Sequence, residues 1–350
     1  MANHLCDEGS MHGNATQLDW ELERKMSFKK LKAGAAEKSL SAEEQQVKIG
    51  DVKKIIGPIV EKFPALCSNA SVLRYLRARN YNVKKAAKML KGTIKWRLEY
   101  KPEKIQWEDV AQEAKIGRIY RADYLDKQGR MVFVIRPAVQ STSTSAEQIK
   151  YLVYCLENAI MNTSPTQEQM VWLIDFHGWS KSCMSLKVTR ETAQILQAHY
   201  PERLGVAIFY NPPKVFESFW TMVKPFLELK TYKKAVFVYT DNPRSRMIME
   251  EMFDMDKLES YFGGKNAVGF NYEAYAVKMK EDDKKIAQAF DSCCPSPSCF
   301  NSKFDESLLS GNNDSDDGTL SDEGVYSKFD NDDGITQGKM PCSPHQPNTA

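Results

Sequence analysis

One pair of residues in this sequence could take part in catalysis. His177 follows Asp175 by two residues at the end of an apolar segment, so the carboxylate could orient the imidazole as a general base. Such a base needs an activated nucleophile, and the sequence contains no Gly-x-Ser-x-Gly turn to supply one. It also lacks the glycine-rich loops that cradle nucleotide phosphates. We therefore predict a structural hydrogen bond at this pair, no catalytic residues and a protein that is not an enzyme.

A cysteine cluster is the candidate for metal binding. Cys293, Cys294 and Cys299 lie close together, but no nearby histidine or cysteine pair completes a zinc site. No apolar leader follows Met1, so we expect the eight cysteines to be reduced thiols. The cluster is predicted to be solvated within a disordered tail, with reversible S-acylation as the alternative. We expect no metal site and no cofactor.

The charge is unevenly distributed and favours an anionic partner. Residues 291–350 hold eleven acidic residues and three lysines, whereas the first 290 residues hold 45 basic and 35 acidic ones. A basic body suits either a lipid surface or a nucleic acid. Arg74, Arg77 and Arg79 lie near tyrosines, but no RNA-binding signature accompanies them, so a solvated helix face is predicted and no nucleic-acid partner is expected. No apolar run approaches the roughly 20 residues of a spanning helix.

The part of the chain before residue 106 is predicted to be a disordered segment followed by a helical region. Residues 1–42 are polar and lack a sustained apolar period, which predicts a disordered N-terminal segment. Residues 43–105 show apolar residues at helical spacing and form a predicted helical region. Asn80-Tyr81-Asn82 is the predicted turn between two short amphipathic helices, and Asn82 is the predicted N-cap of the second.

Residues 106–276 alternate between strands and helices. The predicted strands are 130–136, 171–176, 205–210 and 235–240. Ser145 with Gln148 resembles a capping box that opens the first helix between them. This order predicts an α/β domain with a mainly parallel sheet and flanking helices. Residues 277–350 are predicted to form a short helical end and then a disordered acidic tail.

Six segments, in order, resemble the motifs of CRAL-TRIO proteins over about residues 45–275. They are Leu73–Arg79 with Tyr81–Val83, Ile174–Trp179, Tyr200–Gly205, Asn211–Pro213, Lys224–Leu227 and Phe262–Lys265. The resemblance implies an N-terminal helical layer packed on a lipid-binding α/β fold, with an apolar pocket under a mobile gate helix. The nearest resemblance is to phosphatidylinositol transfer proteins of the Sec-fourteen type.

The resemblance also implies the site residues. Headgroup contacts fall on Arg79, Glu202, Thr231 and Lys234. Gate and pocket positions fall on Phe216, Phe219, Trp220, Val223 and Phe226, although an ordinary core helix would show the same pattern. Cationic groups suit a phosphate, and a carboxylate suits ring hydroxyls. The alternative for Glu202 is a structural ion pair with Arg203 or Lys234.

Three positions depart from the family pattern. An expected basic residue is Asn80, and Met170 and Trp172 stand where the subgroup carries hydroxyls for phosphatidylcholine. The resemblance therefore implies a carrier of one lipid class, phosphatidylinositol or a related lipid.

We expect a soluble, cytoplasmic protein with transient peripheral contact to a membrane surface, and lipid kinases as partners that this function allows. One alternative is a carrier of another hydrophobic cargo, such as a sterol or a tocopherol-like molecule. The other is a lipid-regulated interaction scaffold, motivated by Asp314, Asp316 and Asp317 near serines in the acidic tail.

Overall fold

The computed structural model describes residues 40–164, 166–183 and 185–293 of the chain. Nearly all of the predicted disordered segment 1–42 lies outside these residues. Cys294, Cys299 and the acidic tail also lie outside them, so the predictions about both ends of the chain stay predictions. The domain boundaries at 42, 105 and 276 stay predictions as well.

Four helices form the N-terminal layer, and they have a core of their own. They are α1 (Ala42–Ile56), α2 (Ile59–Lys62), α3 (Asn69–Ala78) and α4 (Val83–Tyr100). Val52, Leu76 and Leu90 are fully buried in this core. The Asn82 side chain accepts a hydrogen bond of 2.9 Å from the backbone N–H of Lys85, which confirms the predicted N-cap and places the predicted turn between α3 and α4.

Helix α5 (Trp107–Lys115) leads into a five-stranded sheet. Its strands are β1 (Ile119–Leu125), β2 (Met131–Ile135), β3 (Met170–Asp175), β4 (Leu204–Tyr210) and β5 (Ala235–Val238), in spatial order β1-β2-β3-β4-β5. Strands β2 to β5 are parallel, and β1 is antiparallel to β2. All six residues of β3 are buried, as a strand covered on both faces requires. The predicted mainly parallel α/β fold is confirmed.

The sequence patterns did not predict strand β1. Its segment includes Arg121 and Asp123, which break the apolar pattern. Arg121 is nevertheless buried, because its guanidinium donates to Asp282 at 2.6 Å and to Asn158 at 2.7 Å. A charge this deeply buried is stable only when it is paired.

Six further helices complete the described part of the chain. They are α6 (Ser145–Asn162), α7 (Leu186–His199), α8 (Phe216–Val223), α9 (Leu229–Lys233), α10 (Pro243–Met252) and α11 (Tyr272–Cys293). None of the helices in these described segments is long and apolar enough to cross a bilayer.

The predicted capping box of α6 is wrong by one residue. The box is formed by Thr144 and Glu147, and Ser145 is the first residue of the helix. Gln148 instead donates to the backbone carbonyl of Ser143 at 3.0 Å. Several hydroxyl residues precede this helix, so the local pattern does not distinguish between two adjacent frames.

The buried pair of Arg121 and Asp282 should be required for stability. In the Asp282→Ala variant, the Arg121 guanidinium stays buried without its carboxylate. We expect the free energy of unfolding to fall by about 3–5 kcal/mol, measured by urea denaturation.

The control is Glu99→Ala, which removes an exposed ion pair with Lys95 at 3.9 Å. That change should cost well under about 1 kcal/mol. A similar loss in both variants would contradict the assignment of Arg121 as a buried charge that depends on its partner.

Candidate functional site

A cleft of about 440 Å³, including its open side, lies where the helical layer meets the α/β domain. Its walls come from the end of α3, the end of α7, the turn between α7 and β4, and α9. Glu202, Thr231 and Lys234 all line it. Three of the four predicted headgroup residues therefore come together, although Glu202 is about 30 positions away from the other two in sequence.

Glu202 and Lys234 form an ion pair across the cleft. The Lys234 Nζ donates to Glu202 Oε2 at 3.1 Å, and the two side chains are 22% and 19% exposed. The alternative ion pair is thus present, with Lys234 as the partner, whereas Arg203 donates to the backbone carbonyl of Glu168 at 3.1 Å. An ammonium and a carboxylate at the same cleft offer a donor and an acceptor to an incoming polar ligand.

Backbone geometry fixes both charged residues. Glu202 has a φ of 59°, a left-handed conformation that costs a non-glycine residue on the order of 1 kcal/mol. Lys234 ends the single turn of α9, and its carbonyl accepts a hydrogen bond of 2.9 Å from Ala207 in β4. Thr231 lies three residues before Lys234 on the same side of this turn. The sheet therefore holds α9 at the cleft.

Arg79 lies beside the cleft rather than among the residues that line it. Its guanidinium is 3.2 Å from a carboxylate oxygen of Glu228, which does line the cleft. The backbone N–H of Glu228 donates to Gln197 Oε1 at 2.6 Å. Arg79 is therefore linked to the cleft by its ion pair with Glu228, and an anionic ligand could take the place of the Glu228 carboxylate.

The predicted gate segment forms α8 and the 3₁₀ turn Lys224–Phe226 that follows it. The α-helix ends before Pro225, as predicted from the missing backbone donor. Four of the predicted gate residues are buried and Phe226 is half-buried. The Trp220 ring lies 5.0 Å from Phe209 and 5.5 Å from Phe237 of the sheet. The predicted gate segment thus packs on the sheet through direct aromatic contacts.

The pair of Asp175 and His177 has the predicted structural hydrogen bond. The backbone N–H of His177 donates to Asp175 Oδ1 at 2.9 Å, while the His177 side chain is exposed. The carboxylate therefore stabilises the turn after β3.

Two family models match this chain. The model described as the CRAL/TRIO domain matches residues 117–264, and the model described as the CRAL/TRIO N-terminal domain matches residues 61–92. Together they cover more than half of the chain. The chain belongs to the CRAL/TRIO family. It carries a CRAL/TRIO lipid-binding domain preceded by the helical region of that family, which confirms the resemblance seen in the sequence.

Several curated proteins are similar over the same region. The chain is 28% identical to the phosphatidylinositol transfer protein PDR17 of Saccharomyces cerevisiae over 234 residues, which is 63% of this chain and 64% of that protein. It is 34% identical to the CRAL-TRIO domain-containing protein C23B6.04c of Schizosaccharomyces pombe over 60% of this chain and 20% of that protein. It is 28% identical to the SEC14 cytosolic factor of Candida glabrata over 59% of this chain and 74% of that protein.

The chain spans 20% of the length of C23B6.04c and 64% of the length of PDR17. A solved structure, the crystal structure of Sfh5, superposes with a TM-score of 0.56 at 17% identity and covers 73% of this chain and 100% of its own. At that identity the likeness shows the CRAL/TRIO fold alone.

A polar network below the cleft connects the helical layer to the CRAL/TRIO domain. Arg97 of α4 donates two hydrogen bonds, of 2.7 and 2.8 Å, to Glu157 of α6. The Tyr200 hydroxyl donates to the same carboxylate at 2.6 Å. Burial opposes ionisation of Glu157, but Arg97 and these hydrogen bonds outweigh it and hold its pKa below the ordinary value. The network thus anchors the turn that carries Glu202.

His199 completes this junction as a neutral residue. Its ring stacks on Trp96 with centroids 4.2 Å apart and an interplanar angle of 6°. Burial, assisted by the nearby charge of Arg97, lowers the pKa of His199 to about 4.

Sequence reasoning missed Glu228, Lys230 and Gln197 as cleft residues. The only local indication in the sequence is that Glu228, Lys230 and Thr231 lie close together in one short polar segment. Their partners Arg79 and Arg77 lie some 150 positions earlier in the chain, so no local pattern indicates the contacts.

The neutral state of His199 predicts a pH dependence of stability. The unfolded chain protonates this histidine near a pKa of about 6.5, whereas the folded protein does so only near 4. As the pH falls from about 6.5 to 4, the unfolded state binds the extra proton, so the free energy of unfolding should fall by up to about 1.4 kcal/mol per pH unit.

The His199→Phe variant keeps a ring on Trp96 and removes the titrating group. Urea denaturation between pH 7 and pH 4 should show a shallower loss of stability for this variant than for the wild type. Identical slopes would contradict the neutral buried imidazole.

Proposed function

We propose that this protein binds one phosphatidylinositol-type lipid at a membrane surface and transfers it, without breaking a bond. The observation that carries this proposal is the Glu202–Lys234 pair in a cleft that Thr231 also lines, within a CRAL/TRIO domain. Relatives named as phosphatidylinositol transfer proteins support the same lipid class.

The chemistry of the cleft fits an inositol phosphate. Lys234 would donate a charge-assisted hydrogen bond to a phosphate oxygen, and Glu202 would accept from ring hydroxyls. Thr231 can do either. Arg79 would exchange Glu228 for the phosphate, and the Glu228 carboxylate, whose side chain is 42% exposed, would then be solvated by water.

Because α8 packs directly on the sheet, this helix would have to move to admit the acyl chains. At about 0.8 kcal/mol per methylene, roughly thirty acyl methylenes would cost on the order of 20 kcal/mol in water. A gate that opens at the bilayer lets the chains replace the aromatic rings of α8 against the sheet. The breaks at Pro213 and Pro225 on either side of α8 are suitable hinge positions.

Exposed apolar residues on the gate segment and just before and after it favour contact with a membrane. Val215 is 45% exposed, Met222 is 49% exposed and Leu229 is 66% exposed. Exposed lysines on one side of α4 would add attraction to anionic lipids, with Lys84, Lys88 and Lys95 among them. We propose a cytoplasmic protein with transient peripheral membrane contact, for which lipid kinases would be recipients of the cargo.

Lys234→Ala should reduce phosphatidylinositol transfer between vesicles by about tenfold or more. The variant loses the charge-assisted contact to the phosphate, and a tenfold change corresponds to about 1.4 kcal/mol. The measurement is transfer of a fluorescent phosphatidylinositol from donor to acceptor vesicles.

The matched control is Lys233→Ala, since Lys233 is the exposed neighbour on the same short helix. It should transfer the lipid as the wild type does. Unaltered transfer by Lys234→Ala would reject the headgroup site, and transfer of a sterol instead would favour the carrier of another hydrophobic cargo.

The membrane contact of the gate gives a separate prediction. The double variant Met222→Asp, Leu229→Asp should weaken vesicle binding in a flotation assay by about tenfold, because each carboxylate disfavours the bilayer interface. Val268→Asp, at a residue that is 71% exposed and outside the gate segment in sequence, is the control. Equal binding of the double variant and the control would contradict the proposed docking face, provided that thermal melting shows both to be folded.

A further inference from the structure

Three buried tryptophans of the CRAL/TRIO domain have an indole N–H without a hydrogen-bond acceptor among the residues that the structure describes. They are Trp172, Trp179 and Trp220, which are 8%, 7% and 5% exposed. An indole nitrogen is a donor only, and a buried one usually has a partner. An unpaired buried donor has lost its hydrogen bonds to water without replacement.

The register of the sheet places Trp172 on the face that the gate covers. Trp172 of β3 pairs with Ala207 of β4, and Ile174 pairs with Phe209 two residues further on. Because side chains alternate between the faces of a strand, Trp172 and Phe209 lie on the same face. Phe209 contacts Phe216 and Trp220 of α8, with ring centroids 5.7 and 5.0 Å apart.

The other two indoles belong to the same apolar layer. The Trp179 ring lies 5.5 Å from Phe216 and 6.1 Å from Phe219 of the gate. The Trp220 ring lies 6.1 Å from Phe216, so the two tryptophans flank one phenylalanine. All three unpaired donors are therefore on the gate side of the sheet.

This layer is adjacent to the headgroup cleft. Trp220 stacks on Tyr232 with centroids 5.8 Å apart, and Tyr232 is the neighbour of Thr231 in α9. A lipid whose headgroup occupies the cleft and whose chains enter under the gate would bring its glycerol region close to Trp220.

We propose that Trp172, Trp179 and Trp220 select an ester-linked diacyl lipid by donating hydrogen bonds to its ester carbonyl oxygens. The inference rests on the proposed function and deepens it by naming the linkage of the cargo. Two carbonyl oxygens carry four lone pairs, enough for three donors, and they lie between headgroup and chains. A sterol or tocopherol-like molecule presents few oxygens and would leave most of these donors unpaired.

The test compares two probes, diester phosphatidylinositol and its diether analogue, which lacks the carbonyl oxygens. Wild-type protein should transfer the diester probe about tenfold faster than the diether probe. Trp172→Phe and Trp220→Phe each keep an aromatic ring and remove a donor, so each should reduce the preference. The double variant should abolish it, so that both probes are transferred at the same rate.

Trp107→Phe is the control, because Trp107 is a buried tryptophan of a different aromatic cluster, with Tyr154, Tyr272 and Tyr275. It should keep the wild-type preference. Thermal melting of each variant excludes loss of transfer through unfolding.

Two outcomes would overturn the inference while the proposed function stands. One is equal transfer of both probes by the wild type, and the other is an unchanged preference in the double variant. Either would mean that the indole N–H groups face aromatic rings as a purely structural feature. Transfer of neither probe by the wild type would reject the proposed function itself.

Discussion

The ion pair between Arg97 and Glu157 holds the two parts of this molecule together. The helical layer and the α/β domain have separate apolar cores, and polar contacts together with the stacking of Trp96 on His199 join one to the other. Arg97 comes from the layer, Glu157 comes from the domain, and Tyr200 attaches the turn of Glu202 to the same carboxylate. Because Ala78 of the layer and Lys234 of the domain both line the cleft, its shape depends on this junction.

Two opposing requirements apply to α8 in the proposed carrier: it must pack on the sheet, and it must also make room for a lipid. Aromatic packing of α8 on the sheet buries apolar side chains, yet among the described residues it leaves three indole donors without acceptors. A bound lipid would give back apolar contact and add the missing acceptors. In the proposed carrier, transfer in both directions between membranes requires that neither state be strongly favoured over the other.

Strong local patterns made much of this fold predictable. Strands β2 to β5 follow from uninterrupted apolar segments between turn residues, and Asn82 marks a helix start by its own chemistry. Strand β1 was missed because Arg121 is buried through Asp282, which lies 161 positions away. The prediction that Glu202, Thr231 and Lys234 belong to one site rested on the resemblance to the family. The Arg79–Glu228 contact depends on how the layer packs on the domain, which no local pattern indicates.

Identification of the lipid that the purified protein carries tests the central claim most directly. Native mass spectrometry of the intact protein should show a one-to-one complex whose added mass, after fragmentation, yields inositol phosphate and two ester-linked acyl chains. A complex that contains only a sterol or another lipid without an inositol phosphate would contradict the account.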